Sequence, residues 1–297
     1  MRIYFSARSD GGTTGAFSFA RNLEKYLVGR GNFVISDWKE DFDVALVIGA
    51  TTIERNVWKA IESRKIPIVF RIDNIPEDYR NRGTAISRMK DYSEWADVVV
   101  YQSYWAKEYV MGLTGRDGAV IYNGVDTNIY NVKNRISDNE EPVYLYVRSS
   151  TNENKRWAEA KYIFRTEWLK NDRKGIFRIV GNFADYIKIY GKDFVDRYKL
   201  GLFDEPYEYL GTIADPLRMA EVYKNSHFLI APFFNDADSN VITEGLTCGC
   251  KLLAGTAKDS GGTPEIVKEF EKGRMDWASL DRMGAEYEGI FKLLKSI

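Results

Sequence analysis

The feature that most constrains this chain is an alternation of short apolar stretches with longer amphipathic ones, run through twice. In the first series the strand-like stretches are 3–6, 44–48, 68–70, 98–101 and 120–122, and helix-like stretches fill 16–28, 53–64, 85–95 and 106–111. Strands that are apolar along their whole length, separated by helices, predict a parallel sheet covered on both faces. The alternation then stops. Residues 123–141 are polar, carry no periodicity and end at Pro142, as a linker does. A second series follows, with strands expected at 143–147, 177–180, 207–210, 228–231 and 252–254 and helices at 156–170, 194–199, 216–224 and 241–247. The expectation is an α/β protein of two Rossmann-like, doubly wound domains, 1–135 and 136–275, facing each other across a cleft. The last stretch, 276–297, reads as an amphipathic helix that packs back toward the N-terminal domain or bridges both. A chain of 297 residues has room for two domains of roughly 130–150 residues each.

Composition narrows the classes of function. Hydrophobic residues make up 44% and charged residues 29%, enough of each for a full core inside a soluble surface. A net charge of −1 gives no electrostatic drive toward nucleic acid or an anionic membrane, so no nucleic-acid partner is expected. No apolar stretch approaches the ~20 residues that span a bilayer. Met1 runs into the first strand without a signal peptide. Cys248 and Cys250 are too close for an unstrained disulfide and have no His nearby for zinc, so they read as reduced packing residues of a cytoplasmic protein.

The polar motifs lie at the carboxyl ends of expected strands, where open α/β sheets bind ligands. Asp236–Glu244 reads D-A-D-S-N-V-I-T-E between an apolar strand closed by Pro232 and a short helix. A helix start favours a phosphate, whereas carboxylates beside it suit sugar hydroxyls, and together they suggest a nucleotide-sugar. An acid early in a surface helix with no ligand fits the same residues. Asp236 and Asp238 also form a D-x-D able to share a divalent cation with substrate phosphates, but no third ligand stands nearby. Ser9–Gly15 is a glycine-rich loop between the first strand and helix. It lacks the first glycine of the dinucleotide fingerprint, though Asp37 stands where a ribose-binding acid would. A plain tight turn is the simpler alternative. Arg148 ends a strand and Lys155 and Arg156 open the next helix, well placed for a diphosphate or for a solvated basic surface. His227, the single histidine, begins a buried strand, which argues for a structural residue.

These residues resemble the family 4 glycosyltransferases of the GT-B fold. Asp236–Glu244 is similar to that family's E-x7-E motif, and Gly261–Val267 to the G-G-x-P-E-x-V run after it. Residues 122–126, Y-N-G-V-D, resemble the family's N-G-V-D. Arg148 and Lys155 resemble its diphosphate pair, and Gly11 and Gly12 its N-terminal glycine loop. Residues 69–73 and Gln102-Ser103 are similar to segments of bacterial members. The resemblance covers most of the chain, in order.

The resemblance implies a retaining, hexosyl-type transferase using a UDP-sugar or GDP-sugar, with no cofactor and no metal, and a glycan, lipid-linked or other acceptor. Glu244 would hold ribose hydroxyls and Asp236 the donor sugar. The amides of Asn240 and Val241 would meet the phosphates, Arg148 and Lys155 would neutralise the leaving diphosphate, and Gly12 would bring backbone to the donor. The sequence departs from the pattern in three places. Asp236 replaces a Glu, and Ser239 replaces the usual Gly. No first-domain His is present, Asp73 being the nearest substitute by position. Alternatives are a nucleotide-sugar epimerase, a non-catalytic nucleotide-binding module and an NAD-dependent oxidoreductase. Trp38, Trp58, Tyr79 and Trp95 would serve a peripheral membrane or glycan contact, or core packing.

Overall fold

The computed structural model describes residues 1–7, 15–73, 75, 83–136, 141–148, 153–184, 205–253 and 259–296. The glycine loop with Gly11 and Gly12, the helix expected at 194–199 and Tyr79 lie outside them. The described chain forms two compact units. Unit 1 comprises Met1–Asp126, Ala237–Ser239 and Val267–Ile297, and unit 2 comprises Thr127–Asp236 and Asn240–Ile266.

Unit 1 is built on six strands, β1 (Arg2–Phe5), β2 (Phe33–Ile35), β3 (Val44–Ile48), β4 (Ile68–Arg71), β5 (Val98–Tyr101) and β6 (Ala119–Val120). They pair in parallel in the order β2-β1-β3-β4-β5-β6. Each inner strand feeds two cores, because successive side chains point to opposite faces. Val44, Leu46 and Ile48 of β3 join one cluster and Ala45 and Val47 the other. That two-sided burial is why these strands read as continuous apolar runs. β2 went unread because it is three residues long and only Ile35 is buried, with Phe33 exposed at the sheet edge.

Helices α1 (Gly15–Gly29), α2 (Arg55–Ser63), α3 (Gly83–Trp95) and α4 (Tyr104–Thr114) follow the strands. Trp58 of α2 is fully buried and stacks on Tyr92 of α3 at 4.3 Å. Trp38 and Trp95 pack against the same core. Three of the four aromatics that sequence left open for a surface contact are thus packing residues. The C-terminal helix also belongs to unit 1. It runs from Leu280 to Lys295 and lays Leu280, Met283, Tyr287, Phe291 and Leu294 over β1 and β3 beside α1. Their 3–4 residue spacing makes one apolar stripe.

Unit 2 has five parallel strands, β7 (Val143–Arg148), β8 (Ile176–Gly181), β9 (Tyr207–Tyr209), β10 (Phe228–Ile230) and β11 (Lys251–Leu253), in the order β11-β10-β7-β8-β9. Its helices are α5 (Trp157–Lys170), α6 (Pro216–Lys224), α7 (Asn240–Thr247) and α8 (Thr263–Glu271), the last extending past the unit's end; the C-terminal helix of unit 1 is α9. An aromatic layer of Phe164, Phe177 and Trp157, with centroids 4.4 and 5.7 Å apart, joins α5 to β8. His227 is buried, and its Nδ1 accepts the Val143 backbone N–H at 3.0 Å, tying β10 to β7. That is the structural role its position predicted. Among the described residues no helix is long and apolar enough to cross a membrane.

Candidate nucleotide-sugar site

In an open parallel sheet a ligand crevice forms outside the carboxyl ends of neighbouring strands whose connections leave in opposite directions. In unit 2 that point lies between β7 and β10. Arg148 is the last residue of β7, and the loop after β10 carries Asp236. The sheet topology therefore delivers these two predicted residues to one end of unit 2.

The loop after β10 is held on both sides. The Phe234 N–H donates to the Asn154 carbonyl at 2.8 Å, and the Asn235 N–H to the Asp259 carbonyl at 2.8 Å. The Asp236 carbonyl then accepts the Gly262 N–H at 2.8 Å. Gly261, at φ +69°, must be glycine, since a Cβ there would run into the backbone of Asp236. The G-G-T-P-E run is therefore the support of the Asp236 loop as well as the entry to α8. Pro264 falls in that helix's first turn, where no backbone N–H is needed.

Asp236 and Lys155 are brought together. Lys155 Nζ donates to Asp236 Oδ2 at 2.7 Å, and the same ammonium lies 4.1 Å from the Phe233 ring centroid. Lys155 and Asp236 keep 11% and 15% of their side-chain surface open. Arg156, at φ +48°, bonds Asp259 at 2.8 Å and Glu159 at 3.1 Å, and its guanidinium lies 4.7 Å from the Phe234 ring. Arg148 is buried beside the ring of Phe183, at 5.0 Å. Gly181, opposite Arg148 in the β7–β8 register and at φ +143°, leaves no space for a Cβ against the Arg148 backbone.

Glu244 sits on α7 and accepts the Tyr223 hydroxyl at 3.0 Å. Burial first, and the Glu244 charge second, push the Tyr223 phenol well above its ordinary value, so it remains a donor. Asn240 and Val241 open α7, whose first-turn N–H groups have no intrahelical acceptor. Ser239 is buried.

Unit 1 holds the rest. Asp73 follows β4 and forms an ion pair with Arg71, whose guanidinium also donates to Asn123 Oδ1 at 2.9 Å. An acid so engaged is a poor candidate for a free base. Asp238 belongs to this unit, and its carboxylate accepts the Asn123 backbone N–H. Asp37 follows β2 and accepts the Lys39 N–H at 3.0 Å. Among the described residues no group of three or more His, Cys, Asp or Glu could hold a metal.

Sequence reasoning missed Arg71, Tyr223 and the aromatic partners Phe233 and Phe234. Arg71 had a visible signal, a charge inside the apolar run I-V-F-R-I. Tyr223 had none, because it faces Glu244 only once α6 and α7 pack.

No protein-family model matches the chain, and no curated protein sequence matches it. Solved structures do. HepE of Anabaena in complex with UDP-glucose is 14% identical, covers 99% of this chain and 97% of its own, and superposes with a TM-score of 0.65. Sucrose-phosphate synthase from Thermosynechococcus elongatus is 13% identical over 99% and 96%, with a TM-score of 0.67. The lipopolysaccharide outer core galactosyltransferase WaaB in its apo form is 14% identical over 99% and 97%, with a TM-score of 0.56. At these identities the likeness concerns the fold. The chain has the two parallel-sheet, Rossmann-like domains of GT-B, as its sequence led one to expect.

Proposed function

We propose that this chain is a glycosyltransferase that takes a nucleoside-diphosphate sugar at the β7–β10 end of unit 2. The observation that carries the reading is the Lys155–Asp236 pair at that switch point, on a loop that leads into α7. HepE, a solved neighbour of the same fold, is in complex with UDP-glucose, which supports it.

In this reading Glu244 takes ribose hydroxyls, and Ser239 and the amides of Asn240 and Val241 meet the phosphates. Lys155 gives up Asp236 for the diphosphate, which frees the Asp236 carboxylate for hydroxyls of a hexose. The bond from the anomeric carbon to the diphosphate oxygen then breaks as the acceptor oxygen bonds to that carbon. Charge grows on the leaving diphosphate, where Lys155 and Arg148 oppose it. If the acceptor attacks from the face the diphosphate leaves, its proton passes to the leaving phosphate and configuration is retained. Such a step asks for no separate base and no metal.

A panel of UDP-, GDP- and ADP-sugars and NAD, followed by thermal unfolding, tests the reading. A ligand at about 100 times its dissociation constant adds about 2.7 kcal/mol to stability. Stabilisation by one class of sugar nucleotide, with hydrolysis or transfer lost in Glu244→Ala, is the expected result. The position of Asp37 after β2, beside β1, is what an NAD enzyme would use. Stabilisation by NAD alone would replace the transferase with that reading. Binding without turnover would identify a nucleotide-binding module, and a converted sugar nucleotide without any acceptor an epimerase.

A further inference from the structure

The N-G-V-D motif and the charge inside β4 meet in one buried network of unit 1. Arg71, 1% exposed, has its guanidinium 3.8 Å from the Phe19 ring centroid. One end of the fork meets Asp73 and the other meets Asn123 Oδ1. Tyr287 of α9 lies alongside. Burial pushes its phenol up, and the nearby Arg71 charge opposes that push. Of the two ends of the Asn123 amide only the oxygen accepts a hydrogen bond, so Arg71 fixes which way the amide points. Asn123 Nδ2 is then aimed at Gln102 Oε1, at 3.2 Å, and at the Asp238 carbonyl, at 3.1 Å. Gln102 is fixed in turn, because its Nε2 donates to the carbonyls of Ile72, at 2.9 Å, and Asp73, at 3.1 Å. The network has one self-consistent orientation, and it ends on Asp238, held by both the backbone N–H and the side-chain amide of Asn123.

Two more observations concern the chain neighbours of Asp238. Ala237 is buried in the core cluster that contains Trp58 and Phe70. Ser239 is 4% exposed. The middle of the D-A-D-S-N motif thus belongs to the hydrophobic and polar interior of unit 1, although its first and last residues belong to unit 2.

We infer that Arg71 and Asn123 are positioning residues that anchor Ala237–Ser239 within unit 1, and so limit the freedom of the chain that leads into Asn240, whose amide the donor phosphates would meet. The donor consequence rests on the function proposed above, whereas the anchoring does not. The remainder of the motif 123–126 has its own tasks. Gly124 leaves no space for a Cβ against Ser279 and Leu280, the Val125 N–H donates to the Ala278 carbonyl at 2.8 Å, and Asp126 pairs with Lys25. Asn123 is the residue that bonds Asp238.

The test uses the full chain with Asn123→Ala, and with Arg71→Lys, which keeps the charge but replaces a two-ended fork by a single ammonium. Hydrogen exchange is followed in peptides covering 236–241 and, as a control, in β3 and β4. In Asn123→Ala the 236–241 amides should exchange about tenfold faster, the size of one lost hydrogen bond, with β3 and β4 unchanged. Arg71→Lys should move the same peptide in the same direction. Unchanged exchange at 236–241, or equal acceleration throughout unit 1, overturns the anchoring. On the donor side, KM for the responding sugar nucleotide should rise about tenfold in Asn123→Ala while kcat changes less than about threefold, since Asn123 touches no reacting atom. A faster-exchanging loop with wild-type KM overturns the positioning role. If no sugar nucleotide acts on the wild type, the donor reading falls and the exchange result alone decides the anchoring.

Discussion

Arg71 in unit 1 and Lys155 in unit 2 are buried cations held in opposite ways. Arg71 spreads its guanidinium over Asp73, Asn123 and the face of Phe19, and it is all but closed to solvent. Lys155 has one carboxylate, Asp236, and one ring, Phe233, and both charged side chains keep some open surface. A planar fork with several fixed partners stays where it is, because moving it would break several polar contacts at once. An ammonium is a rotatable point charge, and one held by a single carboxylate can trade that partner for a diphosphate with little rearrangement. The difference separates the part of the molecule that defines a geometry from the part that responds to a ligand.

The largest expected effect should come from breaking the first cation. Arg71→Met would leave the Asn123 amide oxygen unpaired in the interior and the half-buried Asp73 carboxylate without its ion pair, a change that costs about 3 kcal/mol. Urea unfolding of the variant would show it. A loss under about 1 kcal/mol would mean that the network relaxes, and the contrast between the two cations would disappear. Lys155→Met should cost less, about 2 kcal/mol, because it removes one charge-assisted hydrogen bond and leaves one group, Asp236, without its partner instead of two. Its effect on sugar-nucleotide binding, measured by the thermal response of the same panel, should be the greater one, a weakening of at least about tenfold. Equal losses of stability in the two variants, with donor response intact in Lys155→Met, would mean that the two cations do the same work.

A subtler change sharpens it. Gly261→Ala forces a side chain into a left-handed position against the Asp236 backbone, at a cost on the order of 1–2 kcal/mol. Because Gly261 touches the loop rather than the ammonium, the variant should weaken donor binding with the Lys155 charge still present. Binding as tight as wild type would show that Lys155 tolerates a displaced loop.

Much of this was legible in the sequence. The inner strands of unit 1 stood out because they are buried on both faces, and α6 was expected at 216–224, where it lies; in the structure Asp215 caps it and Pro216 starts it. Asp236 and Lys155 were named, but the bond between them was not, since no spacing rule links a loop after β7 to a loop after β10. The network around Arg71 was hidden for the same reason. Its members at 71, 102, 123, 238 and 287 are separated by most of the chain, and only the packed unit makes them neighbours. Local periodicity carries secondary structure; a buried polar network is a property of tertiary contact.

The region that responds to a ligand has a boundary that can be measured. Behind α7, Cys248 and Cys250 are buried, and Cys250 Sγ lies 3.3 Å from the Tyr223 carbonyl, on the residue whose hydroxyl holds Glu244. Burial pushes both thiols up to about 12, against about 9 for an unburied thiol. The unfolded chain therefore releases these protons first. Stability from this source is complete below pH 9 and falls as pH rises from 9 toward 12, by roughly 1 kcal/mol per thiol at pH 10. Urea unfolding at pH 7 and pH 10 should show that slope, and a Cys248→Ala/Cys250→Ala variant should flatten it. The same burial should keep both thiols unreactive toward iodoacetamide at neutral pH, with or without a sugar nucleotide. Alkylation that speeds up when the ligand binds would mean that the back of α7 moves with its front. The responsive region would then reach beyond Lys155 and Asp236 into a part of unit 2 that here is packed as closely as the surroundings of Arg71.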